Sequence, residues 1–310
     1  MAERPVGRSV VVTGASRGLG LASAAHLHRR GWTVVAAVRS PDAARERLRA
    51  ATGARDGDPR LVAVRLDLDD PASIAAGARA IGEAVGAPDA VVHNAGLAGV
   101  GATEEMPPAV WDQIFSTNVF GPVRLTQALL PEMRAAGRGR IVVVSSEGGV
   151  RGMPVIGAYS AAKGALERWA EALSHEVAPF GIGVTILVAG TFRTDILELT
   201  QTWADPAGPY AAHHAGLDRA SRWILRAARP PERFAPAVAR ALDERAPFAR
   251  HAVGPDARAM LLASRLLPAR AFQAVAARAM RLPRPGTLRD DPARLAPVTP
   301  RADDDGRSAG

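Results

Sequence analysis

Short apolar runs rich in valine and isoleucine alternate along the chain with longer runs rich in alanine, leucine and arginine. The short runs contain little polar alternation, which is typical of strands buried on both faces of a sheet. Strands separated by helices need crossover connections, and these give a parallel sheet. The pattern therefore predicts an α/β fold with a single Rossmann-like, doubly wound parallel sheet and helices on both faces.

The same pattern places the individual elements. Strands are expected at residues 8–13, 32–38, 60–68, 89–96 with an exit turn, 139–149, 181–190 and, at an edge of the sheet, 248–254. Helices are expected at residues 18–31, 41–52, 71–86, 108–136 with a bend at Pro122, 157–180, 231–245 and 256–282 with a break at Pro268. We expect one domain over residues 1–282 that includes a substrate lid at about 191–228. Residues 283–310 have few bulky apolar side chains and are expected to be a disordered tail.

Composition narrows the possible functions. The chain has 310 residues, of which 47% are hydrophobic, so a sizeable core is available. It has no cysteine, which excludes disulfides, thiol catalysis and thiolate metal sites, and no metal site is expected. The net charge of +8 comes from scattered arginines and aromatic residues are only 5%, so nucleic acid is not an expected partner. The sequence shows neither a signal peptide nor a spanning helix, and a cytoplasmic protein is expected.

A glycine-rich stretch, VVTGASRGLG, joins the first predicted strand to the first predicted helix. Gly14, Gly18 and Gly20 permit a tight turn and a close approach of the backbone to a pyrophosphate. The following helix N-terminus offers free N–H groups to the same anion. The alternative is merely a tight turn, but the position between strand and helix favours dinucleotide binding.

The stretch YSAAK contains the only lysine, Lys163, and one of two tyrosines, Tyr159. A bias towards arginine explains the other basic positions, but a guanidinium cannot replace a compact ammonium at a specific site. Four residues apart on a helix, the two side chains share one face. An ammonium about 5 Å from the phenol, at an effective dielectric of about 20, favours phenolate by roughly 3 kcal/mol, or about two pKa units. Tyr159 would then exchange a proton with a substrate oxygen near neutral pH, whereas the alternative is an ordinary amphipathic helix face.

Together with HNAG at residues 93–96, NVFG at 118–121 and Ser146, these motifs resemble those of the classical short-chain dehydrogenase/reductase family, most closely over residues 8–195. The resemblance implies four catalytic residues. Tyr159 would be the general acid and base, Ser146 would hold the substrate oxygen, Lys163 would also hold the nicotinamide ribose, and Asn118 would steady a water beside Lys163. It also implies a homodimer or homotetramer.

Two positions depart from the family pattern. His93 stands in place of an asparagine and is expected to be packed rather than catalytic. Ala189 stands in place of a proline after the sixth main strand, and we expect its absence to loosen the turn beside the nicotinamide.

The end of the second strand decides which nicotinamide is expected. A carboxylate there would bind the ribose of NAD, but this chain has Val38, Arg39 and Ser40, with Arg17 in the glycine loop. Two guanidiniums suit a 2′-phosphate, so NADP(H) is the expected cofactor, the alternative being two ordinary surface arginines. The residues expected to bind it are Gly14, Ser16, Arg17, Gly18, Leu19, Gly20, Arg39, Ser40, Asp67, Leu68, Asn94, Ala95, Gly96, Tyr159, Lys163, Gly190, Thr191 and Thr194.

The lid supplies aromatic residues, Phe192, Trp203, Tyr210 and Trp223. An apolar pocket follows, or else these side chains only fill the core beneath the lid. The expected substrate is a small hydrophobic ketone, aldehyde or secondary alcohol, and the ending of the chain resembles family members that act on steroid- or retinoid-like compounds. The expected substrate contacts are Ser146, Met153, Tyr159 and Phe192.

The function expected is thus hydride transfer between NADP(H) and such a substrate. Two alternatives are a non-catalytic NADP(H)-binding sensor or regulator, and an epimerase or dehydratase that uses the cofactor transiently. Residues 256–282, which combine leucines with arginines, are expected to pack on the sheet or on a partner subunit, the alternative being contact with a membrane surface.

Overall fold

The computed structural model describes residues 7–194, 200–295, 297 and 298. Within these ranges seven strands form one parallel sheet, and two short strands, β5 and β8, pair separately. The order across the large sheet is β3-β2-β1-β4-β6-β7-β9, which confirms the predicted doubly wound Rossmann-like α/β fold. The strands are β1 Ser9–Thr13, β2 Thr33–Val38, β3 Leu61–Arg65, β4 Ala90–His93, β5 Gly99–Val100, β6 Gly139–Ser146, β7 Ile182–Ala189, β8 Gln201–Thr202 and β9 Phe248–Val253.

Helices cover both faces of the sheet. Proline at the first position begins α2, α3 and α10, where its missing N–H removes no helical hydrogen bond. Asp70 caps α3 by accepting the N–H of Ala72 at 2.8 Å. The helices are α1 Gly18–Arg29, α2 Pro41–Thr52, α3 Pro71–Val85, α4 Pro108–Phe115, α5 Gly121–Ala135, α6 Glu147–Val150, α7 Gly157–Val177, α8 Ala211–Arg226, α9 Ala235–Leu242, α10 Pro255–Leu266 and α11 Ala269–Ala279.

Two apolar layers sandwich the sheet. Val10 and Val12 of β1 face the layer that contains Phe234 at the start of α9, whereas Val11 faces the opposite layer with Leu125 of α5. All three valines are fully buried. Packing on both faces of the sheet therefore explains why the strands show little alternation of polar and apolar residues.

The long helix expected at residues 108–136 is in fact α4 and α5, joined by a π-helical turn at Ser116–Phe120. Pro122 has no N–H to donate to the carbonyl of Asn118, so regular α-helical bonding is interrupted one turn before the proline. The interruption places Asn118 in the π-helical turn, where its side chain is fully buried.

Other differences lie near the lid. The stretch expected to be the substrate lid contains α8, and the β5–β8 pair and the short α6 were not anticipated from the pattern. Pro268 does separate α10 from α11, and β9 does lie at an edge of the sheet. Of the tail expected to be disordered, residues 283–295 contain turns and one 3₁₀ turn, Pro292–Leu295, while residues 296 and 299–310 lie outside the described residues. Among the described helices, none is long and apolar enough to span a membrane.

Candidate active site

The glycine loop between β1 and α1 is shaped for close contact. Gly14 and Gly18 have φ angles of +66° and +52°, in the left-handed region. A Cβ on Gly20 would lie 2.3 Å from the carbonyl oxygen of Gly14 and 2.5 Å from Nδ2 of Asn94, so no larger residue fits without a shift. A Cβ on Gly18 would lie 3.3 Å from Cβ of Thr194, which places the segment after β7 directly over the loop.

The N-terminus of α1 fits an anionic group. Arg17 at the N-cap makes no side-chain capping bond, and the first turn contains no acidic residue. The first N–H groups of the helix therefore meet neither a capping side chain nor a repelling carboxylate. Glycine loop and helix end together form the kind of cradle that a dinucleotide pyrophosphate needs. Ser16 and Leu19 are partly buried on the same loop.

Thr13 links the glycine loop to the exit of β4. Its Oγ1 accepts the N–H groups of Asn94 and Ala95, both at 3.0 Å, and donates to the carbonyl of Val92 at 3.3 Å. Nδ2 of Asn94 returns a hydrogen bond to the carbonyl of Thr13 at 3.0 Å. The buried threonine thus fixes two cofactor-site segments to each other.

Asn118 holds the main chain that follows β4. Its Oδ1 accepts the N–H of Leu97 and its Nδ2 donates to the carbonyl of Leu97, both at 2.8 Å. A Cβ on Gly96 would lie 3.2 Å from Oδ1 of Asn118 and 3.4 Å from Nζ of Lys163. Asn118, Gly96 and Lys163 therefore meet at one point, while the water-holding role of Asn118 stays a prediction.

Ser146, Tyr159 and Lys163 come together where β6 ends and α7 begins. The Ser146 side chain hydrogen-bonds with that of Tyr159 and also accepts the N–H of Gly148 at 3.3 Å. Nζ of Lys163 lies 5.9 Å from the Tyr159 ring centroid and donates to the carbonyl of Val144 at 2.9 Å. The four residues expected to be catalytic are therefore neighbours beside the glycine-lined crevice.

The electrostatics differ from the sequence-based expectation. Burial raises the pKa of Tyr159, and the hydrogen bond with Ser146 only opposes this. Burial lowers the pKa of Lys163 to about 8, with the nearby Glu167 carboxylate acting in the other direction. The expected lowering of the tyrosine pKa by the ammonium is thus wrong for this structure. Loss of water around the phenol outweighs a cation that lies almost 6 Å from the ring and bonds to a carbonyl.

A second buried network lies behind these residues. The Ser145 hydroxyl donates to Oε1 of Glu167 at 2.6 Å, and Glu167 also pairs with Arg250 of β9. Glu167 is fully buried and lies one helical turn beyond Lys163. Burial raises the pKa of Glu167, whereas Ser145 and Arg250 lower it.

The turn after β7 is held from α10. Asp256 accepts the N–H of Thr191, and a Cβ on Gly190 would lie 2.0 Å from Oδ1 of Asp256. A carboxylate from a distant part of the chain therefore holds this turn, while the expectation that the missing proline loosens it stays a prediction. Glu147, next to Ser146, lies near the same carboxylate, and burial together with the charge of Asp256 raises its pKa to about 7.

The residues expected at the adenosine end follow the carboxyl ends of β1, β2 and β3, which are neighbours in the sheet. Arg17 is partly buried, and Arg39 and Ser40 are exposed after the buried end of β2. Within the described ranges neither guanidinium makes an ion pair or a hydrogen bond to another side chain or carbonyl. Asp67 accepts the N–H of Asp69 at 3.1 Å, and Leu68 is buried against Gly121.

Lid aromatics pack into cores. Phe192 is only 5% exposed and meets Phe234 edge-on at 5.4 Å, which favours a packing role over substrate contact. Trp203 is buried in a cluster with Met106 and Ile114. Tyr210 donates to Glu104 at 2.7 Å. The side chain of Trp223 lies outside the described part of the chain.

Two further expectations concern side chains near the site. Met153 is partly buried on the loop after α6, where its N–H donates to Oγ of Ser160 at 3.3 Å.

His93 is buried, with its Nε2 at 2.8 Å from Oγ1 of Thr126 and its ring edge-on to that of Trp169. Burial lowers the pKa of His93 to about 3. His93 is therefore a neutral packing residue, as expected.

The family model of short chain dehydrogenase matches residues 8–205, a range that contains the glycine loop and all four clustered polar residues. The chain belongs to the short-chain dehydrogenase family. It is 34% identical over 273 residues to the uncharacterized oxidoreductase YbbO of Escherichia coli strain K12, covering 86% of this chain and 93% of YbbO. It is 32% identical over 283 residues to retinol dehydrogenase 5 of Mus musculus, covering 86% of each chain. This short-chain dehydrogenase is therefore an oxidoreductase.

Solved structures of the family agree with the fold. A short-chain dehydrogenase from Streptomyces avermitilis is 35% identical with a TM-score of 0.73, over 91% of this chain and 97% of that chain. A 3-ketoacyl-(acyl-carrier-protein) reductase from Brucella melitensis, complexed with NADH, is 25% identical with a TM-score of 0.66, over 81% and 98% of the chains. A metagenomic short-chain oxidoreductase in complex with NADP is 26% identical with a TM-score of 0.61, over 80% and 97%.

Several residues of this short-chain dehydrogenase site escaped the sequence-based reasoning. Thr13 had a usable signal, since it is a polar residue at the end of a buried strand directly before the glycine loop. Glu167 also had one, because a carboxylate four residues after Lys163 shares its helix face. Asp256 and Arg250 had none, because their contacts depend on β9 pairing with β7.

Proposed function

We propose that this short-chain dehydrogenase transfers a hydride between NADP(H) and a hydrophobic ketone, aldehyde or secondary alcohol, with Tyr159 as general acid and base. The observation that carries the proposal is the meeting of Ser146, Tyr159 and Lys163 beside the cradle of Gly14, Gly18 and Gly20. Asn118 completes the set of proposed catalytic residues.

Ser146, Tyr159 and Lys163 have different roles in the proposed reaction. The nicotinamide, when bound, supplies or accepts the hydride. Hydrogen bonds from Ser146 and Tyr159 would hold the substrate oxygen and stabilise negative charge that develops on it. In the reducing direction Tyr159 gives its proton to that oxygen, and its raised pKa keeps it protonated and able to do so at neutral pH. Lys163, buried between Tyr159 and Gly96, would contact the nicotinamide ribose and stabilise the phenolate left behind.

The preference for NADP(H) is supported by charge at the adenosine end. Arg17 lies in the glycine loop and Arg39 directly follows β2, and the end of β2 carries no carboxylate. A guanidinium binds phosphate through two parallel hydrogen bonds. Relatives solved with NADH and with NADP show that the family itself does not decide between them.

One side chain and one relative support an apolar substrate. Met153, on the loop after Ser146, remains the proposed apolar contact, and retinol dehydrogenase 5 is a relative named for an apolar alcohol. We also expect a cytoplasmic homodimer or homotetramer. Light scattering after size-exclusion chromatography would measure the number of chains in the particle.

The test is a panel of apolar ketones and aldehydes offered with NADPH, followed by the loss of the cofactor's near-ultraviolet absorbance. The matched variants are Tyr159→Phe and Tyr210→Phe, one at each tyrosine of the chain. We expect Tyr159→Phe to bind NADPH and lose turnover at least about 10²-fold, while Tyr210→Phe stays active. Equal activity in both variants removes the assignment of Tyr159. Cofactor binding without oxidation of NADPH by any of the panel supports a sensor or an epimerase instead.

A further inference from the structure

The positive charge of the chain is concentrated near its C-terminal end. Residues 257–289 contain no aspartate or glutamate, and the remaining chain has 32 lysine and arginine residues against 31 acidic ones. This segment therefore carries seven of the eight net positive charges. We call it the basic C-terminal surface, and its arginines are Arg258, Arg265, Arg270, Arg278, Arg281, Arg284 and Arg289.

Exposed apolar side chains lie among these charges. α10 packs against the body through Ala257 and Leu261, but Leu262 and Leu266 are 58% and 69% exposed. Arg258 precedes Leu262 by four residues, so it shares the exposed face of α10 with the two leucines.

α11 repeats the arrangement. Its buried residue is Phe272, whereas Val275 is 58% exposed and Arg278 follows it by three residues on the same face. Leu267, between the two helices, is 36% exposed. The exposed surface of both helices thus combines apolar and cationic side chains.

The charges are not neutralised within the protein. Across the described residues, none of the seven arginines forms an ion pair with a carboxylate. All seven arginines are exposed. An anionic partner would therefore meet guanidinium groups that are not paired with a carboxylate in the described part of the chain.

We propose that the basic C-terminal surface docks on an anionic lipid membrane. Guanidinium groups suit lipid phosphates and carboxylates, and exposed leucines suit the boundary between headgroups and acyl chains. A second copy of this chain is a poorer occupant, because a two-fold contact through this surface would oppose arginine to arginine. Nucleic acid would match the charge but would give the leucines no contact.

Sedimentation of the full chain with vesicles tests the charge component. We expect binding to phosphatidylcholine vesicles that contain phosphatidylserine, weak binding to pure phosphatidylcholine, and release by salt. Each arginine removed should lower the partition coefficient about five-fold, so Arg265→Gln with Arg278→Gln should lower it about 25-fold. Arg45→Gln with Arg47→Gln on exposed positions of α2 removes the same charge elsewhere and should have a much smaller effect.

The apolar component is tested separately. Leu262→Ser with Leu266→Ser should weaken vesicle binding. The control is Phe180→Ser, at a 44% exposed residue outside the basic C-terminal surface, which should leave binding unchanged. Circular dichroism melting of each variant shows that it remains folded. The proposal is overturned if the chain ignores anionic vesicles, if it binds neutral and anionic vesicles equally, or if the leucine variants instead dissociate an oligomer in sedimentation velocity. It is also overturned if the arginine variants lose DNA binding and the leucine variants leave vesicle binding unchanged.

Discussion

The hydroxyl of Ser145 donates a hydrogen bond to Oε1 of Glu167 at 2.6 Å, in a part of the protein that water does not reach. The bond joins the end of β6, one residue before Ser146, to α7, one turn after Lys163. Arg250 of β9 pairs with the same carboxylate. Three elements that carry or support the proposed catalytic residues are therefore tied together at one buried charge.

The first prediction concerns the stability that this network provides. Glu167→Ala leaves the Ser145 hydroxyl and the Arg250 guanidinium without their partner, and the loss of one member of a buried ion pair costs about 3–5 kcal/mol. Urea unfolding at neutral pH measures the difference. Glu171→Gln, which alters the partly exposed neighbour of Arg168, should stay within about 0.5 kcal/mol of the parent.

Glu167→Gln separates charge from shape. The amide oxygen can still accept from Ser145, but the negative charge that raises the pKa of Lys163 is gone. We expect the rate to begin its fall at high pH at a lower pH value than in the parent, because the pKa of Lys163 is lower. The affinity for the cofactor should be retained. An unchanged profile in a folded Glu167→Gln variant would show that Glu167 is only a packing residue.

The second prediction concerns cofactor choice. Replacing Arg39 by aspartate and Arg17 by alanine removes the proposed phosphate ligands and adds a carboxylate where NAD-binding proteins have one. Each charge-assisted hydrogen bond contributes about 1.5–3 kcal/mol, so kcat/KM with NADPH should fall about 10- to 100-fold per arginine, while that with NADH is retained or rises. Arg47→Asp on α2 is the matched control. A parent enzyme that already prefers NADH would contradict the assignment.

Much of the fold was predictable because it depends on local patterns. The valine-rich strands are buried on both faces, and glycine or proline punctuates nearly every helix. The neighbourhood of Ser146 and Tyr159 was also predictable. The carboxyl end of a parallel strand and the helix that follows it meet at one edge of the sheet.

What could not be predicted depends on contacts distant in sequence or on solvent exclusion. Thr191 and Asp256 are 65 residues apart, and only the pairing of β9 with β7 brings them together. The raised pKa of Tyr159 follows from burial, which a charge estimate from spacing alone omits. The π-helical turn at Asn118 required knowing how the chain accommodates the missing N–H of Pro122, which the pattern showed only as a bend.

The third prediction is a pH-dependent stability. Burial and Asp256 raise the pKa of Glu147 from 4.5 to about 7, so between these values the folded state binds more protons than the unfolded state. Stability therefore falls as the pH rises through this window, and the cost is complete above about pH 7. Glu147→Gln removes that cost and should stabilise the protein by about 1–2 kcal/mol near pH 8, after allowance for the partial exposure of the carboxyl.

The same variant should give no gain near the unfolded pKa of 4.5, where the parent carboxyl is already protonated in the folded state. Urea unfolding at the two pH values measures both effects. The exposed Glu46→Gln on α2 provides the control and should show no such difference. A gain of equal size at both pH values would point to packing rather than to ionisation.

The last prediction concerns Asp256, which fixes the turn where the family pattern has a proline. Asp256→Ala frees the N–H of Thr191 and leaves a void against Gly190, so the turn over the glycine loop loses its anchor. Because this turn would contact the nicotinamide, we expect KM for NADPH to rise and kcat to fall, each about ten-fold, as a positional error at the reacting end affects both. Asp256→Asn retains an acceptor oxygen and should be much milder in both parameters. Asp256→Ala and Asp256→Asn both remove a negative charge near Glu147. The pKa of Glu147 should then fall towards its ordinary value, so the stability of both variants should depend less on pH than that of the parent. If Asp256→Ala binds and turns over NADPH like the parent, the backbone hydrogen bonds from Gly190 to Val253 and from Arg229 to Thr191 hold the turn without the carboxylate.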